Sequence, residues 1–154
     1  MNSIGLPQNE SQVVVDKLNK LLATYSVLYM NTRGFHWNIK GKEFFELHLK
    51  FEEIYNSLVL QIDEIAERIL TLEGTPVHSY SDNINLSLIS EQMNVTNGTE
   101  GLKHILDGYK TIILLQREIL VLSGEINDEG TTSQMSDYIT LQEKEVWMYR
   151  SYLA

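Results

Sequence analysis

The chain has 154 residues, 43% of them apolar, which is the length of one domain (1–154) and enough to bury a core. It has no cysteine, so disulfides, thiolate chemistry and cysteine-based zinc sites are excluded. A net charge of -9 opposes nucleic acid and favours cations. The opening MNSIGLPQNESQ lacks the basic and apolar regions of a secretion signal. No stretch reaches the roughly 18 consecutive apolar residues of a membrane span. The expectation is a cytoplasmic protein that makes no membrane contact.

Only two prolines and nine glycines interrupt the chain, which favours long helices over short strands. The first predicted helix runs from about Ser11 to Trp37. Val15, Leu18, Leu22, Tyr25, Tyr29, Thr32 and His36 recur on it at steps of three and four. The second runs from about Lys42 to Leu72, with a stripe of His48, Phe51, Tyr55, Leu58, Ile62, Ile65, Ile69 and Leu72. Gly74, Thr75 and Pro76 stop it.

A long link follows, from Gly74 to Gly98, and its segment NINLSLISEQM is read as a short extra helix. The third long helix spans about Thr99 to Ser123, with Leu102, Ile105, Tyr109, Ile112 and Ile119 inward. The fourth spans about Thr131 to Leu153, with Met135, Tyr138, Ile139, Val146 and Tyr149 inward. Thr131 and Gln134 have capping-box spacing at its start. Four long helices with one long crossover between the second and third form an all-α, ferritin-like four-helix bundle.

The second helix carries the chemistry. His48 and Glu52 are spaced i, i+4 and share a face, as do Asp63 and Glu67. The acid pair repels itself, and neither member has a Lys or Arg three or four residues away; a cation would relieve the repulsion. Fifteen residues separate the two pairs. They turn the helix back to within about 60° of the same direction but raise it by about 22 Å. One metal cannot bridge that gap inside one chain.

An antiparallel second copy closes the gap. The midpoint of His48 and Glu67 is also the midpoint of Glu52 and Asp63, near Ser57 and Leu58. A two-fold axis there sets His48 and Glu52 of one chain against the acid pair of the other, and makes two equivalent sites. His36 adds a further nitrogen from the end of the first helix. Such a mixture of nitrogen and carboxylate donors suits Fe(II), Mn(II) or Zn(II) better than Ca(II) or Mg(II). Classical di-iron bundles carry Glu-x-x-His twice within one chain, and this sequence has none.

The run GFHWNIKGKEFFELHLKFEEIYNSLVLQIDEIAERI resembles the signature of the Dps proteins, the DNA-protection branch of the ferritin-like superfamily. The tail EKEVWMYR resembles that family's closing segment. The resemblance implies a ferroxidase that oxidises Fe(II) to Fe(III), with iron bound by His36, His48, Glu52, Asp63 and Glu67 at a dimer interface. Glu52 stands where the family often has Asp. Trp37 matches an aromatic that takes up electron equivalents beside the site. The resemblance further implies a hollow homo-oligomer of twelve subunits, hydrogen peroxide or dioxygen as oxidant, storage of Fe(III) oxide, and protection against oxidative damage. Glu53 is then an expected nucleation acid on the inner surface, and Asp128, Glu129 and Asp137 are expected to line a pore that admits iron. The first sixteen residues hold no Lys or Arg, so tight DNA binding is not expected. Glu64 and Arg68 are spaced for an ion pair, and His78 and His104 are read as structural or exposed.

Overall fold

The computed structural model describes residues 1–154 and is entirely helical, apart from one isolated bridge between Lys40 and Asn97. The helices are α1 (Gln8–Asn38), α2 (Phe44–Thr71), α3 (Tyr80–Leu86), α4 (Gly98–Glu125) and α5 (Glu129–Leu153). Short corners at 39–43 and 126–128 join α1 to α2 and α4 to α5, so each pair packs antiparallel. The long crossover lies between the pairs, and α1 packs against α4 to unite them. The predicted bundle is therefore the observed one.

Twenty-six buried apolar residues from the four long helices and the crossover form one core. At its centre lies a closed polar ring. The Tyr25 hydroxyl donates to Gln116 Oε1 at 2.5 Å, Gln116 Nε2 donates to Gln142 Oε1 at 2.7 Å, and Gln142 Nε2 donates to Tyr25 at 2.6 Å. Burial pushes the Tyr25 phenol well above its ordinary pKa, so the ring stays uncharged. A neutral centre of amides and a phenol offers no anion to a metal inside the bundle.

Gly74 does not end α2 through a left-handed backbone. Glu73 takes that conformation, at φ 64°, and Gly74 N–H closes the helix on Ile69 O at 2.9 Å. Gly74 is needed for space, since a Cβ there would lie 2.5 Å from Val15 Cγ1 of α1. Gly101 is similarly placed on α4, where a Cβ would crowd Phe51 Cζ at 3.1 Å and Phe35 Cγ at 3.3 Å. Phe35 and Phe51 meet at a tilt, with ring centroids 5.7 Å apart, and crowd the same face of α4 at Gly101.

Five expectations are corrected. The extra helix lies at Tyr80–Leu86 rather than along Asn83 to Met93. Ser79 caps it by accepting from Asp82 N–H, and Ser87 leaves the helix with ψ 137°. Beyond it the backbone bonds to α1 instead, with Leu88 N–H on Thr24 Oγ1 and Gln92 N–H on Asn31 Oδ1. On α2 the buried line is Leu47, Phe51, Ile54, Leu58, Gln61, Ile65 and Ile69. His48, Tyr55 and Ile62 lie at its half-buried border, because the stripe read from the sequence runs along the edge of a wider apolar face.

The start of α5 is capped by Asp128, not by Thr131 with Gln134. Asp128 is buried and accepts from Thr131 N–H at 3.0 Å. It also receives the Arg68 guanidinium at 2.5 Å, while Arg68 Nε donates to Thr131 Oγ1 at 2.9 Å. A buried, fully partnered carboxylate cannot line a pore, so Asp128 is removed from that role. Arg68 is thereby taken from Glu64, which instead accepts from the Tyr138 hydroxyl at 2.6 Å.

Candidate metal centre

The antiparallel α1–α2 corner brings His36, in the last turn of α1, against His48, in the second turn of α2. Their rings stack at 3.8 Å and 13°. Each Nδ1 lies on the other's main-chain oxygen: His36 Nδ1 is 2.6 Å from His48 O, and His48 Nδ1 is 2.7 Å from His36 O. A carbonyl only accepts, so each Nδ1 carries the proton and donates. The His36 carbonyl is available because Lys40 N–H, its helical partner, goes to Thr96 O at 2.8 Å.

The reciprocal bonds fix both tautomers. Each Nε2 is left with its lone pair, and each ring is held by a carbonyl behind it, as a metal-ligating histidine requires. Phe44 stacks on the outer face of His48 at 4.8 Å, and Tyr55 presents an edge to His36 at 5.4 Å. His36 is buried and His48 half-buried.

Glu52 follows one turn after His48 and is half-buried; Asp63 and Glu67 are exposed on the far half of α2. The ion pairs of the chain all involve other residues. Within one chain no three metal-ligating side chains converge. The structure therefore unites His36 with His48, leaves Glu52 one turn further along α2 from His48, and keeps Asp63 and Glu67 apart, as the rise of the helix demands. Two imidazoles with free Nε2 atoms and unpaired carboxylates are a donor set that fits Fe(II).

Trp37 follows His36 and is 56% exposed. The Arg33 guanidinium lies 4.6 Å from its ring centroid and 5.6 Å from those of both Tyr29 and Tyr55. Arg33 donates to the Tyr29 hydroxyl at 3.2 Å; its Nε is buried with no acceptor. This cluster was missed in the sequence, although Tyr29, Arg33 and Trp37 fall at successive i, i+4 positions. Glu53 is exposed and paired with Lys50, and Glu129 and Asp137 are exposed. His78 is exposed in the crossover; His104 stacks on Phe35 at 5.9 Å and lies 3.8 Å from Glu100.

No helix is long and apolar enough to cross a membrane. A ferritin-like domain model matches residues 15–154. A DNA protection during starvation protein of Porphyromonas gingivalis is 40% identical over 148 residues, 96% of this chain and 93% of its own length. An uncharacterised protein of Haemophilus influenzae is 56% identical over 149 residues, 97% of this chain and 93% of its own. The crystal structure of a Dps protein from Vibrio cholerae O1 superposes with a TM-score of 0.99 at 52% identity, covering 100% of this chain and 97% of that one. That protein is described as a member of a broad superfamily of ferritin-like diiron-carboxylate proteins. Dps from Staphylococcus aureus superposes with a TM-score of 0.89 at 31% identity, covering 93% and 96%.

Proposed function

The chain belongs to the Dps family of the ferritin-like superfamily, and on that premise we propose that it is a ferroxidase and iron-storage protein whose metal sites are shared between two copies. His36, His48 and Glu52 of one copy and Asp63 and Glu67 of the other are the proposed ligands. The observation that carries this reading is the reciprocal lock of His36 and His48, which leaves both Nε2 atoms bare. The relative that shares this fold at TM-score 0.99 is itself called a diiron-carboxylate protein, which supports iron as the substrate.

The exposed face of α2 supports the antiparallel pairing. About the midpoint that mates His48 with Glu67, Phe45 mates with Leu70 and Tyr55 with Leu60. Phe45, Leu60 and Leu70 are exposed by 85%, 66% and 58% in the single chain, and a second copy would cover them. Leu58 is turned into its own core, so the axis would pass over exposed Asn56 and Val59, which are also mates.

In the proposed reaction two Fe(II) each give one electron to hydrogen peroxide, which takes up two protons and leaves as two waters; dioxygen is the alternative oxidant. The carboxylates favour the Fe(III) product because hard oxygen anions stabilise the higher charge. Trp37 is proposed to receive stray oxidising equivalents next to the ligands. Fe(III) then collects as oxide within a shell of twelve copies, with Glu53 as a nucleation acid and Glu129 and Asp137 toward the pore. Removing iron and peroxide together would suppress hydroxyl-radical damage.

The test is anaerobic Fe(II) loading of the purified protein followed by a stoichiometric peroxide pulse, read by near-UV absorbance. Wild type should oxidise Fe(II) rapidly. Asp63→Ala with Glu67→Ala should lose the fast phase while sedimenting as the same assembly, because both acids are exposed and without a partner in their own chain. Equal initial rates in the two proteins would refute the site.

A further inference from the structure

His48 is the middle of three stacked rings. His36 covers one face at 3.8 Å and 13°, and Phe44 covers the other at 4.8 Å and 19°. Phe44 is the first residue of α2 and reaches His48 because residues four apart share a helix face. Gly41 makes that start possible. Its φ of 110° turns the chain into α2, and its carbonyl accepts the Phe44 N–H at 3.1 Å. Phe45 meets Phe44 edge-on at 5.4 Å and 77°, so the outer ring of the stack is itself held.

Hydrogen bonding alone does not fix the plane of the middle ring. The last torsion of a histidine is broad, because a flat ring on a tetrahedral carbon has no deep wells. A swing of about 30° about the Cβ–Cγ bond moves Nδ1 by about 0.6 Å, which a hydrogen bond of 2.7 Å tolerates. The same swing shifts the aim of Nε2 by about 1 Å at a ligand distance of about 2 Å. Ligand groups have to be held to within about 0.5 Å. The bond to the His36 carbonyl therefore selects the tautomer and leaves the plane free. A flat wall on each face removes that freedom.

We infer that Phe44 is a positioning residue for His48, acting through its flat face rather than its bulk, and that it sets how tightly the half-site holds a divalent metal ion. The inference rests on the proposed ligand set. A ring parallel to the imidazole resists its tilt across the whole face, whereas a branched aliphatic chain touches it at one or two methyl groups. Phe44 is half-buried at the border of the core, so filling the core does not by itself call for an aromatic there. It brings no donor atom and acts only through His48.

The test is Co(II) titration of the purified assembly under argon with no oxidant present. The visible bands of Co(II) report the number and arrangement of nitrogen and oxygen donors without turnover. Wild type is compared with Phe44→Leu, Phe44→Tyr and His48→Ala. Leucine keeps an apolar side chain of similar size, so the fold should hold. Phe44→Leu should bind Co(II) about tenfold more weakly, the loss expected when a group supporting a metal ligand is removed, and with altered bands. Phe44→Tyr keeps the flat face and should match wild type in affinity and bands. Wild-type binding in Phe44→Leu, or a Phe44→Tyr protein as weak as Phe44→Leu, would overturn the inference. His48→Ala separates this failure from that of the function. If it weakens binding and Phe44→Leu does not, the positioning role is lost and the ligand set stands. If His48→Ala binds as wild type does, the ligand set falls and the inference with it.

Discussion

Replacing Tyr25 with Phe removes one oxygen from the centre of the bundle and tests whether the polar ring there is structural. Gln116 Oε1 loses its donor and Gln142 Nε2 loses its acceptor, both with no solvent to replace them. An orphaned buried group costs about 1–3 kcal/mol, so the two together should cost about 2–6 kcal/mol. Against a net stability of about 5–15 kcal/mol that is a large share. At about 2–4 °C per kcal/mol for a chain of this size, the melting temperature should fall by about 4–24 °C. Thermal and urea unfolding followed by circular dichroism would measure it, at one protein concentration because assembly adds its own stabilisation. The triple replacement Tyr25→Phe, Gln116→Leu, Gln142→Leu removes every orphan and should recover most of the loss. A loss below about 1 kcal/mol in the single variant, or a triple variant less stable than the single one, would refute the reasoning. Fast iron oxidation should survive in the single variant below its melting temperature, since the ring is not part of the proposed donor set.

Arg68→Ala should cost about 3 kcal/mol, the lower end for breaking a buried pair, because Asp128 keeps its bonds to Thr131; denaturant unfolding with a loss under about 1 kcal/mol would contradict this. Burial raises the Glu145 carboxyl above its ordinary value, against the lowering effects of Tyr109, Tyr149 and Lys50. The folded state therefore holds that proton more tightly, and this contribution to stability fades as pH rises from about the ordinary carboxyl value through the raised one. Glu145→Gln should flatten that slope and be the more stable protein at neutral pH; parallel stability profiles for the two proteins would disprove it. Duplex DNA should not be retained by the purified assembly in a gel shift at about 150 mM salt, given a charge of -9 per chain. Stoichiometric retention without divalent metal would reverse that expectation.

The long helices were legible because each repeats apolar residues over many turns, a signal that single exceptions do not erase. Their ends were less so: Asp128 caps α5 three residues ahead of the expected Thr131, because its real partner, Arg68, is distant in sequence. The crossover misled for a related reason. Residues after Ser87 have helical composition, but their N–H groups are taken by Thr24 and Asn31 of α1. In the candidate site, the pairing of His48 with Glu52 and of Asp63 with Glu67 followed from spacing on one helix. The mutual lock of His36 and His48 did not, since it depends on the corner between two helices and on a carbonyl freed by Thr96. The Arg33 cluster was half visible, because Tyr29 and Trp37 share its helix face but Tyr55 comes from α2.

The separation of the two donor pairs along α2 ties the proposed chemistry to company. On that proposal a solitary chain, newly synthesised or diluted away from its fellows, would hold two half-sites that cannot meet, and with them little hold on iron. Competence would arrive with the second copy and disappear on dissociation. Two damaged chains, one without His36 and His48 and the other without Asp63 and Glu67, would still rebuild one intact site when paired, while leaving the other with Glu52 alone. The helix thus acts as a ruler: its length between the pairs would confine the proposed oxidation to chains that have met a second copy.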